Sequence, residues 1–237
     1  YDIAEMSYTA LQNDITVDGD LVDWSCSEYI AQTPFVPSGT QNAAADPVVF
    51  DEYAGGIWNG PDDHSIAVAF NWNSGSLFLG AKVIDDTHQL SGASGWNGDS
   101  MQVVFADDER TTVTHLYNYA WNAAAGDTVH HHEQGADGTE AVVTRYEDQG
   151  ATTYEVRIPG TAWGLEENGV VAGLALGIGI CINDGDTEAG QGGQKGWSGW
   201  GPYAAVYGKT ASATGVVTLG EDAPATCVSS TTEGVTQ

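Results

Sequence analysis

The sequence predicts an all-β fold, an antiparallel β-sandwich in a single domain with long loops. Three observations carry this. Glycine is abundant, with 31 residues, and aromatics are frequent, with 8 Trp and 10 Tyr, a composition of many turns joining aromatic strands. Several segments alternate apolar and polar residues with period two. No stretch shows a sustained helical period. With 237 residues the chain is long enough for a substantial core.

Taken in order, Ile3 to Leu11 reads as a first strand and Ile15 to Trp24 as a short strand running into an acidic turn. Ser25 to Asp63 loses all periodicity and reads as a long loop that either walls a cleft or covers a sheet edge. Ser65–Trp72 and Leu77–Ile84 form a hairpin about Asn73-Ser74-Gly75. In Gly95 to Phe105 a Gly-rich turn either lifts Trp96 to the mouth of a strand or leaves it as a strand-end core residue, and along that strand Met101, Val103 and Phe105 oppose Ser100, Gln102 and Val104. Asp99 and Gln102 offer polar groups beside that indole. Val113 to Trp121 is extended, placing His115, Tyr117, Tyr119 and Trp121 on one face, as a packed ladder or a stacking platform. His130-His131-His132 falls in a Gly-rich stretch read as a loop, and three adjacent histidines do not share one strand face, so no preformed metal site is expected there.

Thr139–Tyr146 and Thr152–Ile158 pair about Asp148-Gln149-Gly150, and Pro159-Gly160 stops the second before a helical turn from Thr161 to Glu166. Gly173 to Ile182 reads as a buried strand whose glycines admit another layer closely. Trp197 and Trp200 follow a glycine-laden loop, and both are not expected to be deeply buried. Val216 to Leu219 closes the domain at about residue 220. Residues 221–237, rich in Pro, Ser and Thr, read as a tail or linker.

Six Lys plus Arg against 33 Asp plus Glu give a formal charge of -27. That charge repels a nucleic-acid backbone and leaves neutral glycans and cations as partners. No apolar run is long enough for a transmembrane helix, and no basic leader with an apolar segment opens the chain. Cys26, Cys181 and Cys227 are too widely spaced for a zinc knuckle, and one pair could form a disulfide. Two acidic turns offer oxygen ligands for a hard cation such as Ca²⁺: Asp18 and Asp20, with Asp23 nearby, and Asn183, Asp184 and Asp186. The first group serves helix capping equally well.

The stretches VDGDLVDW, WNSGSLFLGAKVIDD, GWNGDSMQVVF, YEVRIPGTAWGL, GLALGIGICINDGD and GWSGWGPY, in that order over most of residues 15 to 219, resemble carbohydrate-binding module family 9 and its wider β-sandwich group. The resemblance implies a non-catalytic, secreted or extracellular module, on its own or tethered to a larger protein. It also implies a terminal sugar clamped between two tryptophans, here Trp96 and Trp197, with structural calcium. Asn97, Gln102 and Tyr117 would read hydroxyls. Gln102 stands where the family carries a carboxylate, and Tyr117 and Asn118 fall where it carries basic and amide contacts.

Two other functions are open to these residues. A polysaccharide lyase would use His115 with Tyr117 or Tyr119 for proton transfer and Arg145 or Arg157 to neutralise a uronate. A haem-binding electron-transfer domain, invited by the wider group, would draw axial ligands from Met6, Met101 and the histidines.

Overall fold

The computed structural model describes residues 6–27, 29–31, 50–90, 95–185 and 193–222. Among the described residues thirteen strands are formed: β1 Ser7–Gln12, β2 Ile30–Ala31, β3 Asp51–Glu52, β4 His64–Asn73, β5 Ser76–Asp85, β6 Ser100–Ala106, β7 Val113–Asn122, β8 Asp127–Gln134, β9 Glu140–Tyr146, β10 Ala151–Pro159, β11 Ala175–Asp184, β12 Gly196–Trp200 and β13 Gly215–Asp222. Short 3₁₀ turns are the only helices among the described residues. The all-β expectation holds.

One sheet runs in the order β8-β7-β6-β11-β13-β1-β4-β5-β10-β9. It curls into a nearly closed barrel or sandwich. β1 is the joint between two antiparallel halves: Ser7–Ala10 and, after a register shift, Gln12 pair with β13, while Leu11 and Gln12 pair with β4 on the other side. Both of these pairings are parallel, so the sheet is mostly rather than wholly antiparallel. At the far seam β8 approaches β9, where the Val143 amide donates to Thr128 Oγ1 at 2.8 Å.

The curled sheet encloses the main core. Met101, Val103 and Phe105 of β6 meet Ile66, Val68 and Phe70 of β4 and Leu77 and Leu79 of β5. The predicted alternation along β6 is therefore correct, as is the β4–β5 hairpin, which closes at Asn73↔Ser76. The outer face of the first half is covered too, by Trp197, Tyr203, Ala204 and Ala205 over Val104, Leu116 and Cys181. Gly179 of β11 makes this possible, since a Cβ there would lie 2.6 Å from that of Ala204 and 2.8 Å from the Gly201 carbonyl oxygen.

On the outer face of the second half, Trp24 packs with Ala69 and Phe78. Its indole nitrogen donates to Glu155 Oε1 at 2.8 Å, and the other carboxylate oxygen accepts from the Asp18 and Gly19 amides at 2.9 and 2.5 Å. This fully buried carboxylate bolts the 13–24 loop to β10. Desolvation pushes its pKa up, and the three donors oppose the shift.

Four local expectations change. Ile15–Val17 is not a strand; it precedes a 3₁₀ turn over Leu21–Trp24 that Asp20 caps. The three histidines lie in strand β8, not a loop, because residues 127–134 pair with β7. Trp197 and Trp200 are both buried, at 1% and 2% exposure, because β12 is covered on both faces and residues three apart point to opposite sides. Within the long 25–63 stretch, Ile30–Ala31 and Asp51–Glu52 pair with β4 and β12, while residues 32–49 lie outside the described residues. Of the cysteines, Cys26 is disulfide-bonded and Cys181 is free and buried, while Cys227 lies outside the described residues.

A methyl group on Gly80 would sit 2.7 Å from the Trp24 ring. The Gly80→Ala variant is expected to lose about 1–3 kcal/mol of stability through this overpacking, measured by denaturant unfolding against the wild type.

Candidate functional site

The candidate site lies on the outer face of the first half, where β6, β7, β8 and β11 present their outward residues. In register, Gln102 stands between Asn118 on one side and Cys181 on the other. Buried amides must find partners, and these find one another. Gln102 Nε2 donates to Asn118 Oδ1 at 2.9 Å, and Asn118 Nδ2 donates to Glu133 Oε1 at 2.9 Å. Asn183 Nδ2 donates to Ser100 Oγ at 3.0 Å and to Gln102 Oε1 at 3.3 Å. Gln194 Nε2 closes the chain by donating to Asn183 Oδ1.

Above this polar floor opens a cavity of about 380 Å³. Tyr53, Trp96, Trp197 and Tyr207 supply its aromatic wall, and Gln102, Glu133, Gln194 and Lys209 its polar lining. Trp96 is 41% exposed, held out by the Gly-rich turn, which decides between the two positions open to it from the sequence. Trp197 is buried behind Tyr53 and Tyr207, whose ring centres lie 5.3 and 5.4 Å from its own. Tyr53 and Tyr207, at 44% and 58% exposure, therefore present far more aromatic surface than the buried Trp197. Tyr207 and Lys209 have positive φ angles of 53° and 63°. Such backbone costs about 1–3 kcal/mol per residue and persists where the surroundings enforce it. Here it brings both side chains to the cavity, where Lys209 Nζ lies 3.6 Å from Glu133 Oε2.

Asn97 faces Gln194, whose amide donates to its Oδ1 at 3.1 Å, so it shapes the rim. Tyr117 does not reach the cavity. Its position on β7 puts it on the opposite face from Asn118, inside the main core, with its hydroxyl donating to the Ala136 carbonyl at 2.8 Å. This corrects the expectation that Tyr117 reads hydroxyls. The period-two rule separates neighbours 117 and 118, and only the sheet's curvature says which faces the cleft. Sequence reasoning missed Tyr53, Glu133, Gln194, Tyr207 and Lys209. The available signal was an aromatic in a glycine-rich, aperiodic loop at 53 and 207, and a lysine in a chain that has six basic residues.

The lyase constellation does not assemble. His115, Tyr117 and Tyr119 do line one strand face, but as a packed ladder: His115 stacks on Tyr117 at 6.0 Å, and the Tyr119 hydroxyl donates to Thr139 at 3.0 Å. His115 Nε2 donates to the Ala162 carbonyl at 2.9 Å. Burial raises the phenol of Tyr117 to about 12 and that of Tyr119 further, the reverse of what a catalytic base needs. Arg145 is buried against Asp85, and Arg157 binds Ser76 and Glu140. Met6 and Met101, the axial-ligand candidates for haem, pack in the main core.

A second cluster lies beneath the Trp96 turn. Asp85, His88 and Asp99 place ligand atoms within 4.8 Å of one another, a group that could hold a metal ion. His88 Nε2 donates to the Trp121 carbonyl at 3.0 Å, which leaves the Nδ1 lone pair facing Asp99 Oδ2 at 3.5 Å. Nδ1 is buried without a hydrogen-bond partner. Burial lowers the His88 pKa and so favours the neutral ring, whose Nδ1 lone pair points toward Asp99. Burial and neighbouring acids push Asp85 up to about 6 and Asp99 well above the usual range. Arg145 Nη1, 3.3 Å from Asp85 Oδ2, offsets this only in part. These donors fit a cation.

The metal positions expected from sequence do not gather. Asp18 and Asp20 cap their own turn, accepting from the Asp20 and Val22 amides. Asn183 belongs to the amide floor, and Asp184 accepts from His64 Nδ1 at 3.1 Å. Asp186 lies outside the described residues.

With this geometry in view, comparison with known proteins gives two results. A family profile described as "Carbohydrate family 9 binding domain-like" matches residues 41–222. Two solved structures of a carbohydrate binding module family 9 from Caldicellulosiruptor kristjanssonii share the fold. The cellotriose complex has a TM-score of 0.67 at 13% identity, covering 91% of this chain and 94% of that one. The glucose complex has a TM-score of 0.65 at 13% identity, covering 91% and 96%. No curated protein matches the sequence.

Asn118→Ala strips a partner from both Gln102 and Glu133. Each buried polar group left unmatched costs about 1–3 kcal/mol, so the variant is expected to unfold at clearly lower denaturant than the wild type.

Proposed function

The chain belongs to the carbohydrate family 9 binding domain-like family, and from that premise we propose that it binds glycans without transforming them, taking a sugar end into the cavity beside Trp96. The observation that carries this reading is the pairing of an exposed indole with an amide floor in one cavity. Sugar C–H faces stack on aromatic rings, and hydroxyls take directed hydrogen bonds from fixed amides. Trp96 supplies one stacking face. Tyr207 and Tyr53, backed by Trp197, supply the other. Gln102, Gln194, Glu133 and Lys209 read hydroxyls, with Asn97 holding Gln194 in place.

The cavity's volume of about 380 Å³ is at the small end of the roughly 300–1,000 Å³ typical of ligand sites. It favours a terminal residue or a short oligosaccharide over the middle of a polymer. The surrounding negative charge favours neutral sugars, because an anionic one would meet only Lys209, already beside Glu133. The family 9 modules of Caldicellulosiruptor kristjanssonii are seen with cellotriose and glucose, so gluco-oligosaccharides are the first ligands to test. The disulfide at Cys26 supports a secreted or extracellular setting.

We assign calcium to the Asp85–His88–Asp99 cluster on the strength of its two hard carboxylates. Its place under the Trp96 turn gives the ion a structural role, since Asp99 also accepts from the Gln89 and Gly185 amides that frame the turn.

Calorimetry with cellotriose is expected to give a Kd of roughly micromolar to millimolar strength, weakened more than about tenfold by Trp96→Ala, as loss of one stacking ring implies. Unchanged affinity in Trp96→Ala combined with Tyr207→Ala would place the sugar elsewhere. For the metal, calcium at 100 times its Kd should stabilise the wild type by about 2.7 kcal/mol and leave Asp99→Asn unchanged. A larger thermal shift with zinc or manganese than with calcium would reassign the ion.

A further inference from the structure

Two backbone irregularities converge on the cavity. Across the β7–β8 pair the register steps from Tyr117↔His132 to Leu116↔Gln134, so Glu133 is the extra residue of a β-bulge, with no register partner on β7. Bulges interrupt a ladder and re-aim a side chain. In the segment that roofs β6 and β11, Tyr207, Gly208 and Lys209 take consecutive positive φ angles of 53°, 109° and 63°. Lysine is thus kept at a position where its backbone is strained and a glycine would be relaxed. Glu133 and Lys209 are the two charged residues among the described residues that line the cavity. The irregularities bring Lys209 Nζ to 3.6 Å from Glu133 Oε2.

That separation exceeds the roughly 2.7–2.9 Å of a charge-assisted hydrogen bond, so neither group uses up the other's capacity to bind a ligand. Glu133 is fixed from the floor, where its Oε1 accepts from Asn118 Nδ2 at 2.9 Å. Its other oxygen is the one beside Lys209. A carboxylate only accepts hydrogen bonds and an ammonium only donates them, whereas a hydroxyl does both. Two neighbouring hydroxyls therefore match the pair, one donating to Oε2 while the next accepts from Nζ. Resting on the reading of the cavity as a sugar site, we propose that Glu133 and Lys209 are its specificity-determining pair. They select a ring that carries two adjacent equatorial hydroxyls, the gluco arrangement, over its axial epimers.

The amides of Gln102 and Gln194 cannot make this selection alone. Each amide carries both a donor and an acceptor, so it takes a hydroxyl in either sense, while the charged pair assigns the sense of each. Charge-assisted bonds are also about twice as strong as neutral ones. Stacking supplies the stereochemical filter: a ring lying on an aromatic face keeps its equatorial hydroxyls at its edge, and an axial hydroxyl stands along the stacking direction. The strained backbone at Lys209 fits a residue retained for binding at some cost in stability.

The test is calorimetric titration of the full chain with cellotriose and two epimeric β-1,4 trisaccharides, mannotriose with its axial 2-hydroxyl and galactotriose with its axial 4-hydroxyl. Whichever adjacent pair of ring hydroxyls is read, one of these epimers breaks it. The wild type is expected to prefer cellotriose to at least one epimer by roughly tenfold or more, the worth of one hydrogen bond to a charged group. Glu133→Gln and Lys209→Met should each weaken cellotriose by a similar factor and erase the preference, while Trp96→Ala weakens every sugar alike. Lys209→Gly should also lose the preference, yet unfold at no lower a temperature than Lys209→Met, which separates loss of binding from loss of fold. Equal affinity of the wild type for all three sugars, or a preference kept in both Glu133→Gln and Lys209→Met, would overturn the pair and leave the sugar site standing. No binding of any of the three would bring down the reading of the cavity, and the pair with it.

Discussion

The structure depends on a sheet half that is buried on both faces. β6 and β11 turn Met101, Val103, Phe105, Ile178, Ile180 and Ile182 into the main core. Their other face is roofed by β12 and the 202–213 segment. Polar residues on that outer face lose water, and an amide without a partner there would be costly. The solution is a closed chain of hydrogen bonds through Asn183, Gln102, Asn118 and Glu133. Where the roof stops short, the same chain becomes the floor of a cavity. A structural necessity of burial thus lines the cavity with a fixed set of donors and acceptors.

The aromatic wall follows a similar logic. Trp197 anchors from within, its ring covered by Tyr53 and Tyr207, while Trp96 stands free on its turn. An anchor that is itself buried fixes the two tyrosines without exposing a large apolar patch. The left-handed backbone at Tyr207 and Lys209 shows that their positions are imposed by the surrounding packing.

Acidity organises the rest. With so few basic residues, most buried carboxylates are matched in other ways, by backbone amides and an indole at Glu155 and by a histidine at Asp184, while Arg145 is spent on Asp85. The cluster of Asp85, His88 and Asp99 is where these devices run short and a cation fits. Asp99 joins that cluster to the turn bearing Trp96, so the group that could hold an ion and the exposed indole share one piece of scaffold.

The sequence by itself determined the fold class and most strand positions, because alternation and turn composition are local properties of the chain, while the exposure of Trp96 was decided by the structure. It also carried the family resemblance, since the order of short motifs survives where their individual residues diverge. Tertiary structure alone decided the parallel joint at β1, the burial of Trp197 and the withdrawal of Tyr117 into the core. Each depends on which face of a strand meets a second layer, and a period-two pattern divides residues into faces without saying which is covered. It alone also brought Asp85, His88 and Asp99 together. Those ligands come from a strand end, a loop and a turn, and their convergence is set by the curl of the sheet, which no spacing along the chain records.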